Sequence, residues 1–193
     1  METERSRGMM DHYIDLRVKP VLEVSANILL SEVFLAVHKG LHSEGSGKVG
    51  VSFPEHKKTL GSVIRLHGDY DSLQGLINRE ELSILRPYVD SREIMPVPSN
   101  AKHRTVSRIR VKSGAARILR RSVRKGWLTR EEAESRLESM ESKRCSLPYL
   151  QIKSLSTGQK YPLFVQHGEI LDKPIAGTYS NYGLSKEATV PWF

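Results

Sequence analysis

From His12 onward the chain alternates. His12, Ile14, Leu16 and Val18 fall on one side and Tyr13, Asp15, Arg17 and Lys19 on the other, the period of a half-buried strand that Pro20 ends. After Ser25, a good N-cap residue, the apolar positions Leu29, Val33, Ala36 and Val37 recur at helical spacing to about His42, before the Gly45-Ser46-Gly47 turn. Strand-like segments follow around Val49-Val51-Phe53 and Val63-Ile64-Arg65-Leu66. A second helix is then expected from Asp71 or Ser72 through Leu73, Leu76, Ile77, Leu82 and Leu85 to Pro87, and a short extended piece from Ile94 to Pro98. Over residues 10–98 the order is β-α-β-β-α-β, the ferredoxin-like (RRM-like) pattern shared with many RNA-binding modules. Residues 1–9 read as an N-terminal extension.

Pro96, Pro98, Ser99 and Asn100 form a breaker cluster, so a second domain is expected over residues 99–193. It opens with a strand carrying Val106, Arg108, Arg110 and Lys112 on one face. A helix over about 113–125 places Arg117, Arg120, Arg121 and Arg124 at i, i+3, i+4 and i+7, with Ala115, Ala116, Leu119 and Val123 opposite. Gly126-Trp127 interrupts it, and Thr129-Arg130-Glu131-Glu132 is a capping-box start for another helix through Ala133, Leu137 and Met140. Short strands and turns are expected at Tyr149–Lys153, 155–159, Tyr161–Gln166 and Tyr179–Phe193. The expected class is α+β, a ferredoxin-like domain followed by an elongated domain with an arginine-rich helix and short antiparallel strands.

Charge sharpens this picture. Ten Lys and Arg residues lie between Lys102 and Lys125, and no acid occurs between Glu93 and Glu131. Without those ten, 20 basic residues face 22 acids, so the net +8 of the 193-residue chain comes from this one stretch. Such concentration suits a polyanion, most simply a nucleic acid, because each guanidinium fork grips phosphate oxygens or a guanine edge in bidentate fashion. Arginines serve RNA and DNA alike. An A-form major groove is too narrow for a helix, so an RNA reading requires a short stem or an open end.

No apolar run approaches the roughly 18 residues of a membrane span, and METERSRGMM lacks the apolar core of a secretion signal, so a cytoplasmic protein without a membrane role is expected. Cys145 is the sole cysteine, which excludes an internal disulfide and any zinc site built on cysteine pairs. There is no Walker sequence, dinucleotide fingerprint or carboxylate constellation for magnesium, and no cofactor or metal is expected. His38, next to Phe34 and Leu41 on the first helix, reads either as a packing or surface histidine or as an acid–base group; with His42 it also makes an i, i+4 pair that lacks the glutamate of a zinc-protease helix. Ser154-Leu155-Ser156-Thr157-Gly158-Gln159 is a polar turn whose hydroxyls can hold a sugar hydroxyl. Tyr161, Tyr179, Tyr182 and Trp192 suit base stacking or a strand-rich core equally.

Taken together, Gly50-Val51-Ser52-Phe53-Pro54, Val106-Ser107-Arg108, the arginine helix, Ser154-x-Ser156-Thr157-Gly158-Gln159, Tyr182-Gly183-Leu184-Ser185 and Val190-Pro191-Trp192-Phe193 closely resemble the type I-F CRISPR repeat-processing endoribonuclease family, from about Met10 to Phe193. The resemblance implies a metal-independent nuclease that binds the repeat stem-loop of precursor crRNA, cuts at the 3′ base of the stem by 2′-hydroxyl attack, and retains the product. It further implies a protein monomeric on its RNA, joined by other subunits of a crRNA-guided surveillance complex. By that analogy His38 is the catalytic histidine, Ser154 holds the 2′-hydroxyl and Tyr182 lines the cut site. Arg108, Arg110, Lys112, Arg117, Arg120, Arg121, Arg124, Lys125, Ser156, Gln159 and Tyr161 contact RNA.

Three positions depart from the family pattern. Arg110 stands where a Gln is expected, and arginine favours guanine. Tyr161 replaces a Phe but keeps the ring, and Gly126-Trp127 replaces a basic or polar pair. A histidine titrating near neutrality can take the 2′ proton or supply one to the leaving group, and both roles stay open. The expected products are a 2′,3′-cyclic phosphate and a 5′-hydroxyl. The alternative is a non-catalytic RNA-binding subunit of a ribonucleoprotein complex.

Overall fold

The computed structural model describes residues 10–22, 24–91, 93–110, 115–154 and 157–193, with the backbone alone for 115–118 and 140–145. The N-terminal extension 1–9, Lys112 and Ser156 therefore lie outside the described residues, as does the side chain of Arg117. Helices and two antiparallel sheets make up an α+β fold.

The first sheet has the order β2-β3-β1-β4, built from β1 (His12–Val18), β2 (Gly50–Ser52), β3 (Val63–Gly68) and β4 (Val89–Ser91). Alternation in β1 is realised as expected: Ile14, Leu16 and Val18 are buried while Arg17 is exposed. α1 (Ala26–Glu44) buries Leu29, Leu30, Val33, Phe34, Ala36, Val37 and Leu41; Ser25 takes the N-cap position with extended backbone but makes no side-chain capping bond. The second helical stretch differs from the expectation. α2 (Tyr70–Ile77) starts earlier, because Asp69 caps it by accepting from Ser72 N at 2.8 Å. It then stops at Asn78, whose side chain competes with helical hydrogen bonding, and Arg79 is extended. The apolar spacing out to Leu82 is met instead by a separate short α3 (Glu80–Ser83), followed by a 3₁₀ turn at Arg86–Tyr88. The expected last strand is likewise divided. β4 and β5 (Met95–Pro96) both pair with β1, since Pro96 and Pro98 have no N–H to extend a ladder.

The second sheet has the order β7-β8-β6-β9, from β6 (Lys102–Ile109), β7 (Tyr149–Lys153), β8 (Lys160–His167) and β9 (Thr189–Trp192). β6 begins earlier than the alternation around Val106 suggested, because Lys102 to Thr105 pair with β9, and it ends before Arg110. α4 (Ala115–Arg124) and α5 (Arg130–Ser146) lie between β6 and β7, and the Thr129–Glu132 capping box is formed in both directions. In the tail only Thr189–Trp192 is a strand. Tyr179 is a buried anchor rather than a strand start, its hydroxyl donating to Thr189 O at 2.7 Å.

The sheets are not independent. One apolar cluster runs from Ile14 and Phe34 through Val51 and Phe53 to Val106, Ile152 and Val190, with α1 packed against β7. Ser31 of α1 accepts from Gln151 N at 3.2 Å, closing that contact. Arg65 adds a second tie: it grips Asp15 through Nε and Nη2 at 2.6 and 2.8 Å, donates to Phe193 O at 3.2 Å, and lies over the rings of Tyr13 and Phe193. Among the described residues no helix is long and apolar enough to cross a membrane.

Candidate active site

One face of α1 climbs from core to surface in steps of four: Phe34 is fully buried, His38 is 8% exposed and His42 is exposed. His38 Nδ1 lies 2.7 Å from the backbone carbonyl of Asn181. A carbonyl only accepts, so Nδ1 carries the proton and Nε2 of the neutral ring keeps its lone pair. Burial lowers the pKa of His38 from 6.5; the Asn181 bond opposes this, and the charges of His42 and Arg108 reinforce it. The ring is held in its neutral, proton-accepting form.

Tyr182 fixes the ring plane. It stacks on His38 with centroids 3.9 Å apart and 8° between planes, and its hydroxyl pairs with that of Tyr161 at 2.8 Å. Arg108, from β6, sits 5.0 Å from the Tyr182 centroid and 5.3 Å from that of Tyr161. Burial first, and then the hydroxyl pair, push Tyr161 up to about 12, so its phenol stays neutral.

The loop carrying Asn181 and Tyr182 is laced to both sheets. Val51 N donates to Gly183 O at 2.7 Å and Ser185 N to Val106 O at 2.9 Å. Gly183 has φ 67°, and a Cβ there would meet Val51 Cγ2 at 2.3 Å. This is why the Gly50–Pro54, Val106–Arg108 and Tyr182–Ser185 segments occur together: they are in contact.

Ser154 follows β7 in a tight turn, with Ser154 N donating to Gln159 O, Gly158 N to Ser154 O, and Thr157 N to Ser154 Oγ at 3.2 Å. His38, His42, Arg108, Arg110, Ser154, Tyr161, Asn181, Tyr182 and Lys186 line one cleft of about 980 Å³, whose lining includes no carboxylate. The three candidate catalytic residues thus share a cationic cavity. Gln159 is exposed beside it in the Ser154 turn.

Arg120, Arg121, Arg124 and Lys125 are exposed on α4 and at its end, whereas Leu119 and Val123 are half-buried, as the helical wheel anticipates. Two of the ten clustered basic residues serve the fold instead. Arg104 donates to Gly168 O at 2.6 Å and lies over Trp192, and Lys102 pairs with Asp172. Trp192 is held there, edge-on to His56 and His167. No group of three or more His, Cys, Asp or Glu that could hold a metal ion occurs among the described residues.

Sequence reasoning missed Asn181. Its role depends on contacts to residues more than a hundred positions away, and nothing in its local pattern signals them.

Comparison with known proteins agrees with this arrangement. Residues 13–193 match the family model described as CRISPR-associated protein (Cas_Csy4). A CRISPR-associated endonuclease Cas6/Csy4 of Escherichia coli (strain UTI89 / UPEC) is 44% identical over 184 residues, covering 95% of this chain and all of the relative. A second, from Pseudomonas aeruginosa (strain UCBPP-PA14), is 37% identical over 187 residues, again covering 95% of this chain and the full relative. The chain therefore belongs to the Csy4 family of CRISPR-associated proteins.

Proposed function

We propose that the protein is a metal-independent endoribonuclease that binds the repeat stem-loop of precursor crRNA and cuts it at the 3′ base of the stem. The carrying observation is a neutral imidazole, tied through Nδ1 to Asn181 O and stacked on Tyr182, in the same carboxylate-free cleft as Ser154 and Arg108. RNA brings its own nucleophile. His38 Nε2 takes the 2′-hydroxyl proton, O2′ bonds to phosphorus, and the P–O5′ bond breaks; water in the open cleft protonates the departing O5′. A 2′,3′-cyclic phosphate and a 5′-hydroxyl result. Alignment of O2′, phosphorus and O5′ supplies much of the acceleration, and Ser154, Tyr161 and Tyr182 shape the wall that enforces it.

Grip belongs to other residues. Arg108 and Arg110 read base edges at the foot of the stem, while Lys112, Arg117, Arg120, Arg121, Arg124 and Lys125 contact phosphates and Ser156 and Gln159 add contacts beside the cut. In this reading residues 10–98 form the ferredoxin-like domain and 99–193 the RNA-binding one. The protein acts as a monomer on its RNA in the cytoplasm and joins other subunits of a crRNA-guided complex.

A repeat hairpin with a single 2′-deoxy nucleotide at the cut position tests the proposal. It should bind like the all-ribo hairpin and stay whole; its cleavage would exclude O2′ as nucleophile.

A further inference from the structure

Asn181 touches two histidines at once. Its backbone carbonyl accepts from His38 Nδ1 at 2.7 Å, and its side-chain amide nitrogen lies 2.8 Å from His42 Nδ1. An amide NH₂ only donates, so His42 Nδ1 is the acceptor and the neutral His42 ring carries its proton on Nε2. One residue thereby imposes opposite tautomers on two rings. His38 keeps a lone pair on Nε2; His42 keeps an N–H there.

Both rings line the same cleft, one helical turn apart, with centroids separated by 6.3 Å. A phosphate between them lies within about 3 Å of a nitrogen on each, the reach of a hydrogen bond. We infer that His42 is a second catalytic residue, donating its Nε2–H to a non-bridging oxygen of the scissile phosphate, and that Asn181 is the positioning residue that sets both tautomers. This rests on the reading of the cleft as an RNA-cleaving site.

The division of labour follows from chemistry. Charge gathers on the non-bridging oxygens as O2′ bonds to phosphorus, and a fixed donor aimed at them acts more strongly in the transition state than in the ground state. Arg108, Arg110 and Lys186 supply positive charge to the same cavity on long side chains. His42 adds a short donor whose direction is held by Asn181. No proton leaves His42 in the step; the 2′ proton still goes to His38.

Single-turnover cleavage of a repeat hairpin tests this, using oxygen, or sulfur in either non-bridging position, at the cut phosphate. His42→Ala should cut the oxygen substrate about ten- to a hundredfold more slowly, at or below the usual effect of losing one such donor because the site is exposed. Hairpin affinity should stay within about twofold, as expected for an interaction made chiefly in the transition state. Wild type should discriminate between the two sulfur diastereomers, and His42→Ala should lose that discrimination. Asn181→Ala, which keeps the carbonyl, should lose it too with a smaller rate effect, and His42→Gln, which retains a donor, should recover part of the rate. Wild-type cutting combined with an unchanged rate and unchanged sulfur discrimination in His42→Ala overturns the inference alone. Slowing with discrimination intact also overturns it, since His42 would then act through the fold. A hairpin left whole by wild type overturns the cleavage reading, and this inference with it.

Discussion

Replacing Gly183 with alanine places a methyl group where the active-site loop meets β2. Two costs follow. The backbone sits at φ 67°, and a left-handed residue with a side chain costs about 1–2 kcal/mol. The new Cβ would also lie 2.3 Å from Val51 Cγ2 and 3.2 Å from Val51 N, the donor to Gly183 O, and overpacking of this kind costs about 1–3 kcal/mol. Gly126→Ala isolates the first cost: its φ is 71°, yet nothing lies within 4 Å of the added Cβ. The difference between the variants is therefore the Val51 contact, about 1–3 kcal/mol, or about 2–12 °C in melting temperature for a chain of this size. Thermal denaturation of both variants beside wild type measures it. Any relief comes from lifting the loop that bears Asn181 and Tyr182, so cleavage by Gly183→Ala should fall as well. Equal melting temperatures for the two variants, with cleavage unimpaired in Gly183→Ala, would refute the claim that this close approach positions the site.

Other expectations concern chemistry, grip and pH. His38→Ala should abolish cutting while hairpin affinity, measured by gel shift, persists; loss of both would make His38 a structural residue. Since burial lowers the His38 pKa, kcat/KM should rise with pH through a midpoint below 6.5, and a midpoint above that value would argue against a neutral base in the free protein. Arg120→Ala with Arg121→Ala should lower the salt dependence of binding by up to about two logarithmic units, if both touch phosphate, and an unchanged slope would move α4 away from RNA. His67 and His167 are held neutral, their pKa values lowered by burial and nearby positive charge to about 3 from 6.5. The unfolded chain therefore binds more protons between those values, and stability should fall as pH drops below 6.5, by up to about 1.4 kcal/mol per pH unit for each histidine. Urea denaturation at pH 7 and pH 5 checks this, and flat stability between them would contradict the burial of these rings.

Local patterns were readable where one periodicity governs burial. Ile14-Leu16-Val18 and the Leu29–Leu41 face of α1 needed only alternation and helical spacing, and the Thr129–Glu132 capping box needed only its own four residues. The pattern misled where two short elements satisfy one spacing. Leu73 and Leu76 belong to α2 and Leu82 to α3, although a single helix explains all three. Chemistry was legible as residue types only. Arginine positions on α4 announce a polyanion, but the separation of Arg104 and Lys102 from the exposed cations depends on Gly168 and Asp172 across the sheet. The active-site loop was harder still. Tyr182 was recognisable from the resemblance, yet what holds it there, Gly183 against Val51 and Asn181 between two histidines, arises from long-range contacts that leave no periodic trace.

The central claim is that side chains of this cleft cleave RNA at its own 2′-oxygen. The most direct test is to incubate the purified protein with a repeat hairpin in excess EDTA and determine the ends of the fragments. The account predicts full cleavage at the 3′ base of the stem, leaving a 2′,3′-cyclic phosphate upstream and a 5′-hydroxyl downstream. Cleavage that requires added magnesium, or fragments carrying a 3′-hydroxyl and a 5′-phosphate, would contradict it.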